Sequence, residues 1–384
     1  MCSREAYEPM TEKVSIAGCT TYAYPQVLAS VGDALKPLGG MRAFVRRGDR
    51  VLIKPNLLAA RHPDRCVTTH PSMVKAVAQL VQEAGGIPAI GDSPAVGGLR
   101  RVAAQAGIAE VANELGCPLV EFKEVVEIKT DEAYTFRRFE LAKAVPEADV
   151  IINLPKVKTH SQTLLTLGVK NTFGCIPGMR KAQWHLKAGI DHAYFAGMLV
   201  ELCQIVKPAL TIADGVIGME GDGPGNGDPR PLGLILAGEN PHALDATICR
   251  IIGVPPEDLL TIQAARQRGF EGTDPKRIEV LGRPLEDLGV SPFRLPGRFD
   301  VQWNLPDFIK RPLKNVFVPK PRVDRDLCGG CGVCAEVCPP RAIAVDAKGV
   351  RIDYRRCIRC YCCQEVCPEG AMRLQEGWIR RLAS

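Results

Sequence analysis

THPSMVKAVAQLVQEAGGIPAIGDSP, residues 69–94, carries the reading that decides the fold. Thr69 or His70 stands at the start of a helical pattern, and Pro71 suits a first helical position because its missing N–H would be unpartnered there anyway. Gly85-Gly86 is the stop. Directly behind it, the short apolar run Ile87–Ile90 ends in Gly91-Asp92-Ser93-Pro94. A helix of one period followed at once by a short buried strand is part of a βαβ unit.

Working outward, the same alternation recurs. Short apolar runs at Val14–Ala17, Val51–Ile53, Pro88–Gly91, Val150–Leu154, Leu210–Ala213 and Leu234–Ala237 read as strands. Pro71–Ala84, Asp191–Val206 and Pro241–Ile252 read as helices. Strands alternating with helices predict an α/β fold across 13–285, with a largely parallel sheet flanked by helices.

Four of these strands run into polar clusters: Lys54-Pro55-Asn56, Gly91-Asp92-Ser93-Pro94, Pro155-Lys156-Val157-Lys158-Thr159-His160 and Asp214-Gly215. In open α/β sheets ligands bind outside the carboxyl ends of the strands. Any one cluster alone reads equally well as a turn; together they predict a cleft. Lys156, Lys158 and His160 alternate, so an extended backbone would point all three one way. That makes an anion site, with a solvated edge as the plain alternative. Lys170, Asn171, Lys181 and His185 add donors downstream, while Cys175 reads as a small buried hydrophobe. The stretch GMEGDGPGNGDPRP (218–231) sets Glu220, Asp222 and Asp228 among glycines that would let a loop approach a ligand closely. A cation held by these acids and a plain acidic loop are both open. Asp245 sits in a helical run where an acid suits the dipole.

Near the C-terminus the spacing changes the subject. Cys328, Cys331, Cys334 and Cys338 read C-x2-C-x2-C-x3-C before Pro339, and Cys357, Cys360, Cys363 and Cys367 repeat it before Pro368. This is the spacing of bacterial two-cluster ferredoxins, in which the fourth cysteine of each run ligates the other cluster. Two [4Fe-4S] clusters are expected, one on Cys328, Cys331, Cys334 and Cys367 and one on Cys357, Cys360, Cys363 and Cys338. Structural zinc would show separated pairs instead. Cys362 breaks both spacings and reads as a spare thiol. All-cysteine ligation suggests potentials on the order of −400 mV within a wide range. Residues 323–375 thus predict a small α+β two-cluster ferredoxin domain with a hairpin at Ala347–Gly349, its halves echoing each other as AEVCPPRAI and QEVCPEGAM. The proline-punctuated stretch 286–322 (Pro292, Pro296, Pro306, Pro312, Pro319, Pro321) reads as a linker that packs on its neighbours, since Trp303, Phe308 and Phe317 argue against full disorder.

The 384 residues, 46% hydrophobic and 24% charged, can bury a real core. Net charge is +6 with no run of five like charges, which speaks against nucleic acid. No leader pattern opens the chain and no apolar stretch could span a membrane; cytoplasm is the expected compartment. There is no G-x-x-x-x-G-K-[ST], no Rossmann fingerprint, no G-x-S-x-G and no H-E-x-x-H.

IKPNLL, VTTHPSMVKAVAQLVQEAGG, GDSP, INLPKVKTH, LGVKNTFGCIPGMRKAQWH and DGVIGMEGDGPGNGDPRPLGLILAG, in that order, resemble the family called domain of unknown function 362. A C-terminal ferredoxin is a frequent companion there. The resemblance implies an iron–sulfur protein, presumed an oxidoreductase, with motif residues Lys54, Asn56, His70, Asp92, Ser93, Lys156, Lys158, His160, Lys170, Asn171, Glu220 and Asp245. It implies no catalytic role for any of them.

Three functions follow as expectations. The first is a reductase fed by a low-potential donor such as a ferredoxin or flavodoxin. It passes electrons to an anionic small molecule, or a cofactor such as a flavin, held by Lys54, Lys156, Lys158 and Lys170. His160 or His185 would be the proton donor because histidine titrates near neutrality. The second is a non-enzymatic electron-transfer subunit docking on a partner oxidoreductase. The third is acid–base or metal chemistry with the clusters as redox sensors. Oligomeric state is not legible.

Overall fold

The computed structural model describes residues 11–296 and 318–375. Its main sheet has ten strands: β1 (Glu12–Gly18), β2 (Arg50–Pro55), β3 (Ile87–Asp92), β4 (Leu119–Glu121), β7 (Val150–Leu154), β8 (Lys156–His160), β9 (Leu164–Thr166), β10 (Leu210–Glu220), β11 (Asp228–Gly238) and β12 (Ile278–Gly282). β5 (Val125–Lys129) and β6 (Arg138–Ala142) form a separate antiparallel pair. The sheet order is β12-β1-β11-β10-β7-β2-β3-β4, with β8 on β10 and β9 on β8. Six neighbouring pairs are parallel: β1–β12, β2–β3, β2–β7, β3–β4, β10–β7 and β10–β8. The fold is therefore α/β with a mostly parallel, mixed sheet. The sequence did not reveal the long antiparallel hairpin β10–β11 at its centre, because Asp214-Gly215 looks like a strand end and is a strand interior.

Period-two burial explains the layering. Val51 and Ile53 face one core with the helices Tyr24–Leu35 and Pro71–Glu83; Leu52 faces the other with the helix His192–Val206. A third cluster packs the helix Pro241–Ile251 on β1 and β11. The helix Pro71–Glu83 begins as its residues dictate, with the His70 ring accepting from the Ser72 N–H.

Pro155 separates β7 from β8, since it has no N–H for a ladder. β8 then runs beside the far half of β10, pairing Lys156 with Asp214 and Lys158 with Met219. Two residues of β8 are thus matched by five of β10, a bulge that gives the two lysines different surroundings.

At the C-terminal end β13 (Lys320–Val323) pairs antiparallel with β16 (Met372–Gln375), and β14 (Ile343–Asp346) with β15 (Gly349–Ile352). The last pair is the expected hairpin around Ala347 and Lys348. Helices Val333–Glu336 and Cys362–Val366 sit between, and the buried core is little more than Cys334, Ile343, Cys363 and Met372. Of the linker stretch, the Phe293 N–H donates to Ile252 and Tyr361 Oη donates to the Pro319 carbonyl. Trp303, Pro306, Phe308, Pro312 and Phe317 lie outside the described residues, as does 1–10 of the opening stretch.

Candidate functional site

A cavity of ≈ 280 Å³ opens at the carboxyl ends of β2, β3 and β8. Its walls include Lys54, Asn56, Asp92, Ser93, Lys158, His160, Lys170, Asn171 and His185. Its far side is the C-terminal module, through Glu336, Val337, Cys362, Glu365 and Val366. Lys156, His70, Glu220 and Asp245 are not part of that wall.

The floor is an ion pair and a chain of amides. Lys54 Nζ lies 2.9 Å from Asp92 Oδ1, both nearly solvent-free. Asp92 also accepts from the N–H groups of Leu57 (2.8 Å) and Ser93 (2.9 Å). Gly174 closes over this pair: a Cβ there would stand 2.0 Å from Asp92 Oδ1 and 2.6 Å from Lys54 Nζ, which is why the motif reads F-G-C. Asn56 Nδ2 donates to Asn171 Oδ1 (2.9 Å), and Asn171 Nδ2 donates to Asn153 Oδ1 (2.8 Å). Asn153, inside an apolar strand run, was missed; an amide in a fully buried strand was the available signal.

Above the floor, burial dominates the electrostatics. It pushes the Lys158 ammonium down to about 7 and Lys181 down to about 8, and it lowers Lys170 as well. Lys158 Nζ donates to the Val67 carbonyl at 2.6 Å, a neutral partner. Lys170 Nζ lies 4.8 Å over the Phe173 ring. Burial also raises the Glu365 carboxyl. Four buried polar atoms of the wall have no hydrogen-bond partner: Asn56 Oδ1, Thr166 Oγ1, His185 Nδ1 and Glu365 Oε1. Unpartnered buried polar atoms are costly, and their grouping around one cavity marks a place built to receive a polar ligand.

The histidines differ from the sequence expectation. Burial drops His185 to about 3 and His160 well below its usual value. His160 Nδ1 accepts from the N–H groups of Gln162 (3.0 Å) and Thr163 (3.3 Å), so Nε2 carries the proton. Nε2 sits 3.3 Å from Glu365 Oε1 without hydrogen-bond geometry. Neither imidazole is charged near neutrality, because each is enclosed and lacks an adequate counter-charge. Lys158 is the wall's base that titrates there. Cys175, fully buried and pushed up to about 12, is an unreactive thiol.

The four predicted residues outside the wall have other work. Lys156 Nζ binds Asp214 Oδ2 (2.9 Å) and Tyr22 Oη (2.6 Å), and Tyr22 Oη donates to Asp214 Oδ1 (2.7 Å). His70 caps its helix and stacks on Tyr22 with ring centroids 3.6 Å apart. Asp245 does not serve its own helix; it accepts from the N–H groups of Gly168 (2.7 Å) and Val169 (3.1 Å), anchoring the segment that carries Lys170 and Asn171. Glu220 lies 3.6 Å from Arg294, which also pairs with Asp228. No group of three His, Cys, Asp or Glu side chains among the described residues could hold a metal ion, which removes the cation reading of that loop.

The glycine-rich loop does approach something closely, but it is the C-terminal module. A Cβ on Gly225 would lie 2.0 Å from the Glu365 carbonyl. Gln364 is gripped there: Nε2 donates to the Asp222 carbonyl (2.8 Å), Oε1 accepts from Ser161 Oγ (3.1 Å), and its carbonyl accepts from Asn226 Nδ2 (2.8 Å). Sequence reading gave no sign of this contact, because the two partners lie about as far apart in the chain as the fold allows.

The cysteines gather into two sets. Cys328, Cys331, Cys334 and Cys367 line one small cavity; Cys338, Cys357, Cys360 and Cys363 line another. Each set lines a space rather than closing on one ion, and four soft thiol donors per set fit iron–sulfur clusters. Mutual repulsion among the first set adds to burial in holding the Cys334 thiol up to about 11. The Ala342 N–H donates to Cys338 Sγ at 3.2 Å, the kind of contact that tunes a cluster.

Fold and cysteine sets together define an α/β protein carrying an iron–sulfur electron-transfer module. Residues 51–250 match the family described as "Domain of unknown function (DUF362)", and 320–368 match "4Fe-4S dicluster domain". The chain belongs to the DUF362 family. A thylakoid-associated protein of Synechocystis is 42% identical over 310 residues, 80% of this chain and 96% of that protein. Among solved structures, the lactate racemase apoprotein of Thermoanaerobacterium thermosaccharolyticum aligns at TM-score 0.36 and 13% identity over 56% of this chain and 52% of its own. A Thermotoga maritima protein from structural genomics aligns at 0.37 and 12%, over 59% and 57%. The chain thus spans little more than half the length of these solved structures. No helix among the described residues is long and apolar enough to cross a membrane. Neither that nor the relative's name supports the expected cytoplasmic location, and the comparisons lend a flavin no support.

Proposed function

We propose that this chain is an iron–sulfur reductase whose substrate is a small anion bound between the α/β domain and the ferredoxin module. One observation carries the reading: a single cavity is walled by Lys158 and Lys170 on one side and by Cys362, between the cluster cysteines Cys360 and Cys363, on the other. When bound, the clusters supply single electrons at low potential. The lysines bind the anion, and its charge draws a proton onto Lys158, which can then give it up to the reduced product. The apolar wall, including Leu57, Phe173 and Val366, limits water. The proton-donor role expected of His160 or His185 falls to Lys158 on this reading, while His160 orients a ligand through Nε2–H.

The test uses anaerobically prepared full-length protein with both clusters. The reduced chain is mixed with a panel of small carboxylates and phosphates, and with free flavin as a separate arm, while cluster absorbance reports reoxidation. Wild type should be reoxidised by at least one anion, and Lys158→Ala should not, with iron content unchanged. Equal reoxidation of both proteins by every acceptor would favour the electron-transfer subunit, and flavin-only dependence would make the cleft a cofactor site.

A further inference from the structure

The two cysteine sets are unlike in their surroundings. In the first, Cys331 is exposed and Cys328 and Cys367 are half-buried. In the second, Cys357, Cys360 and Cys363 are all buried. The second set touches the cleft: Cys362 between two of its members and Val337 before Cys338 both line it. Val366, next to Cys367, lines it too, but the Cys367 side chain keeps its half-exposed outer face.

The surface over the first set is bare. A Cβ added to Gly329, Gly330 or Gly332 would meet no atom within 4 Å, and Leu327 beside them is 43% exposed. Small-molecule carriers need concave sites, and this surface has no walls. Redox proteins meet through small, weakly held contacts, which a flat, side-chain-poor face with one apolar residue suits.

We propose that this face, Leu327 to Gly332, is the docking surface of a one-electron donor protein, and that the module is directional. Electrons are received at the open set and delivered at the enclosed set. This rests on the cleft reading for its delivering end. Each docking event oxidises the donor by one electron and reduces the module by one. A cleft ligand reduced by two electrons draws on two such events and takes its protons from the cleft and solvent.

The test is rapid-mixing reduction of the full-length, cluster-loaded chain with no cleft ligand present, read as loss of cluster absorbance. Gly329→Phe fills open space at a position without left-handed backbone, so the fold and iron content should hold. Reduction by a reduced flavodoxin should slow by about tenfold or more, while reduction by methyl viologen radical, which needs no docking face, stays unchanged. Lys348→Phe, exposed on the β14–β15 turn, should match wild type with both donors. An unchanged flavodoxin rate in Gly329→Phe, or equal slowing in Lys348→Phe, would overturn the proposal. The Lys158 test of the cleft is independent: either can fail while the other stands.

Discussion

Two lysines two residues apart in β8 are both about 1% exposed, yet they live in opposite circumstances. Lys156 is enclosed in an ionic network with Asp214 and Tyr22 in which each polar group faces a partner. Lys158 meets one backbone carbonyl and a cavity. The difference teaches that burial alone says nothing about role. A buried charge with a matched counter-charge holds the fold together; one without leaves the fold carrying a cost, and such residues cluster where ligands bind.

The largest expected effect tests the closed half of that comparison. Lys156→Met leaves the Asp214 carboxylate, 0% exposed, without its cation. Breaking a buried pair by removing one partner costs about 3–5 kcal/mol. Anaerobic urea unfolding followed by tryptophan fluorescence should show that loss. A cost below about 1 kcal/mol, the surface-pair range, would erase the distinction.

The open half makes a prediction about pH. Folded Lys158 gives up its proton near pH 7, whereas its ordinary value is 10.5. Between those values the unfolded chain binds more protons, so stability rises with pH across that window; below about 7 the full cost of the buried cation is present. Lys181, down to about 8 from 10.5, adds in the same direction. Lys158→Met should therefore flatten the rise in thermal midpoint between pH 7 and pH 10 relative to wild type. A variant with the wild-type slope would show that Lys158 keeps its proton.

The same substitution should weaken binding of whichever anion reoxidises the wild-type chain by about 1.5–3 kcal/mol, the scale for a hydrogen bond to a charged group. Calorimetry on the oxidised protein reads this without turnover. Lys156→Met, where it folds, should bind that anion as wild type does; comparable losses in the two variants would merge the regions.

What the sequence made legible follows from where its signals lie. The period-two runs and the Pro71 start fixed strands and helices, because those signals are local. Cysteine spacing exposed the cluster sets for the same reason. Lys156 and Lys158 could not be told apart, since the bulge opposite them in β10 is a property of the partner strand. The titration of His160 and His185 was misjudged because burial is not written in residue type. Glu365 and Cys362 were invisible as cleft residues because they arrive from a module about two hundred positions away, held by the Gln364 contacts. Those contacts give a smaller test: Gln364→Ala should cost about 1–3 kcal/mol of docking, the penalty for stranding a buried partner. Faster hydrogen exchange in 362–366 with unchanged exchange in β2 and β7 would read it.

The smallest effect probes the comparison most directly, because it counts protons. At pH 8 the buried Lys158, pushed to about 7, is mostly neutral in the ligand-free chain. A nearby anion favours the charged ammonium and raises its pKa. Binding should therefore take up a fraction of a proton from buffer, seen as a binding enthalpy that varies with the buffer's ionisation enthalpy. Lys156 lies outside the cavity wall, so it should contribute nothing to that uptake. Lys158→Met should lose most of the uptake, and whatever remains belongs to Lys170 and Lys181, which burial also lowers. Binding with no uptake at pH 8 would mean that the ammonium is already charged in the free cleft. Lys158 would then be a fixed cation like Lys156, and the proton delivered to the product would have to come from elsewhere.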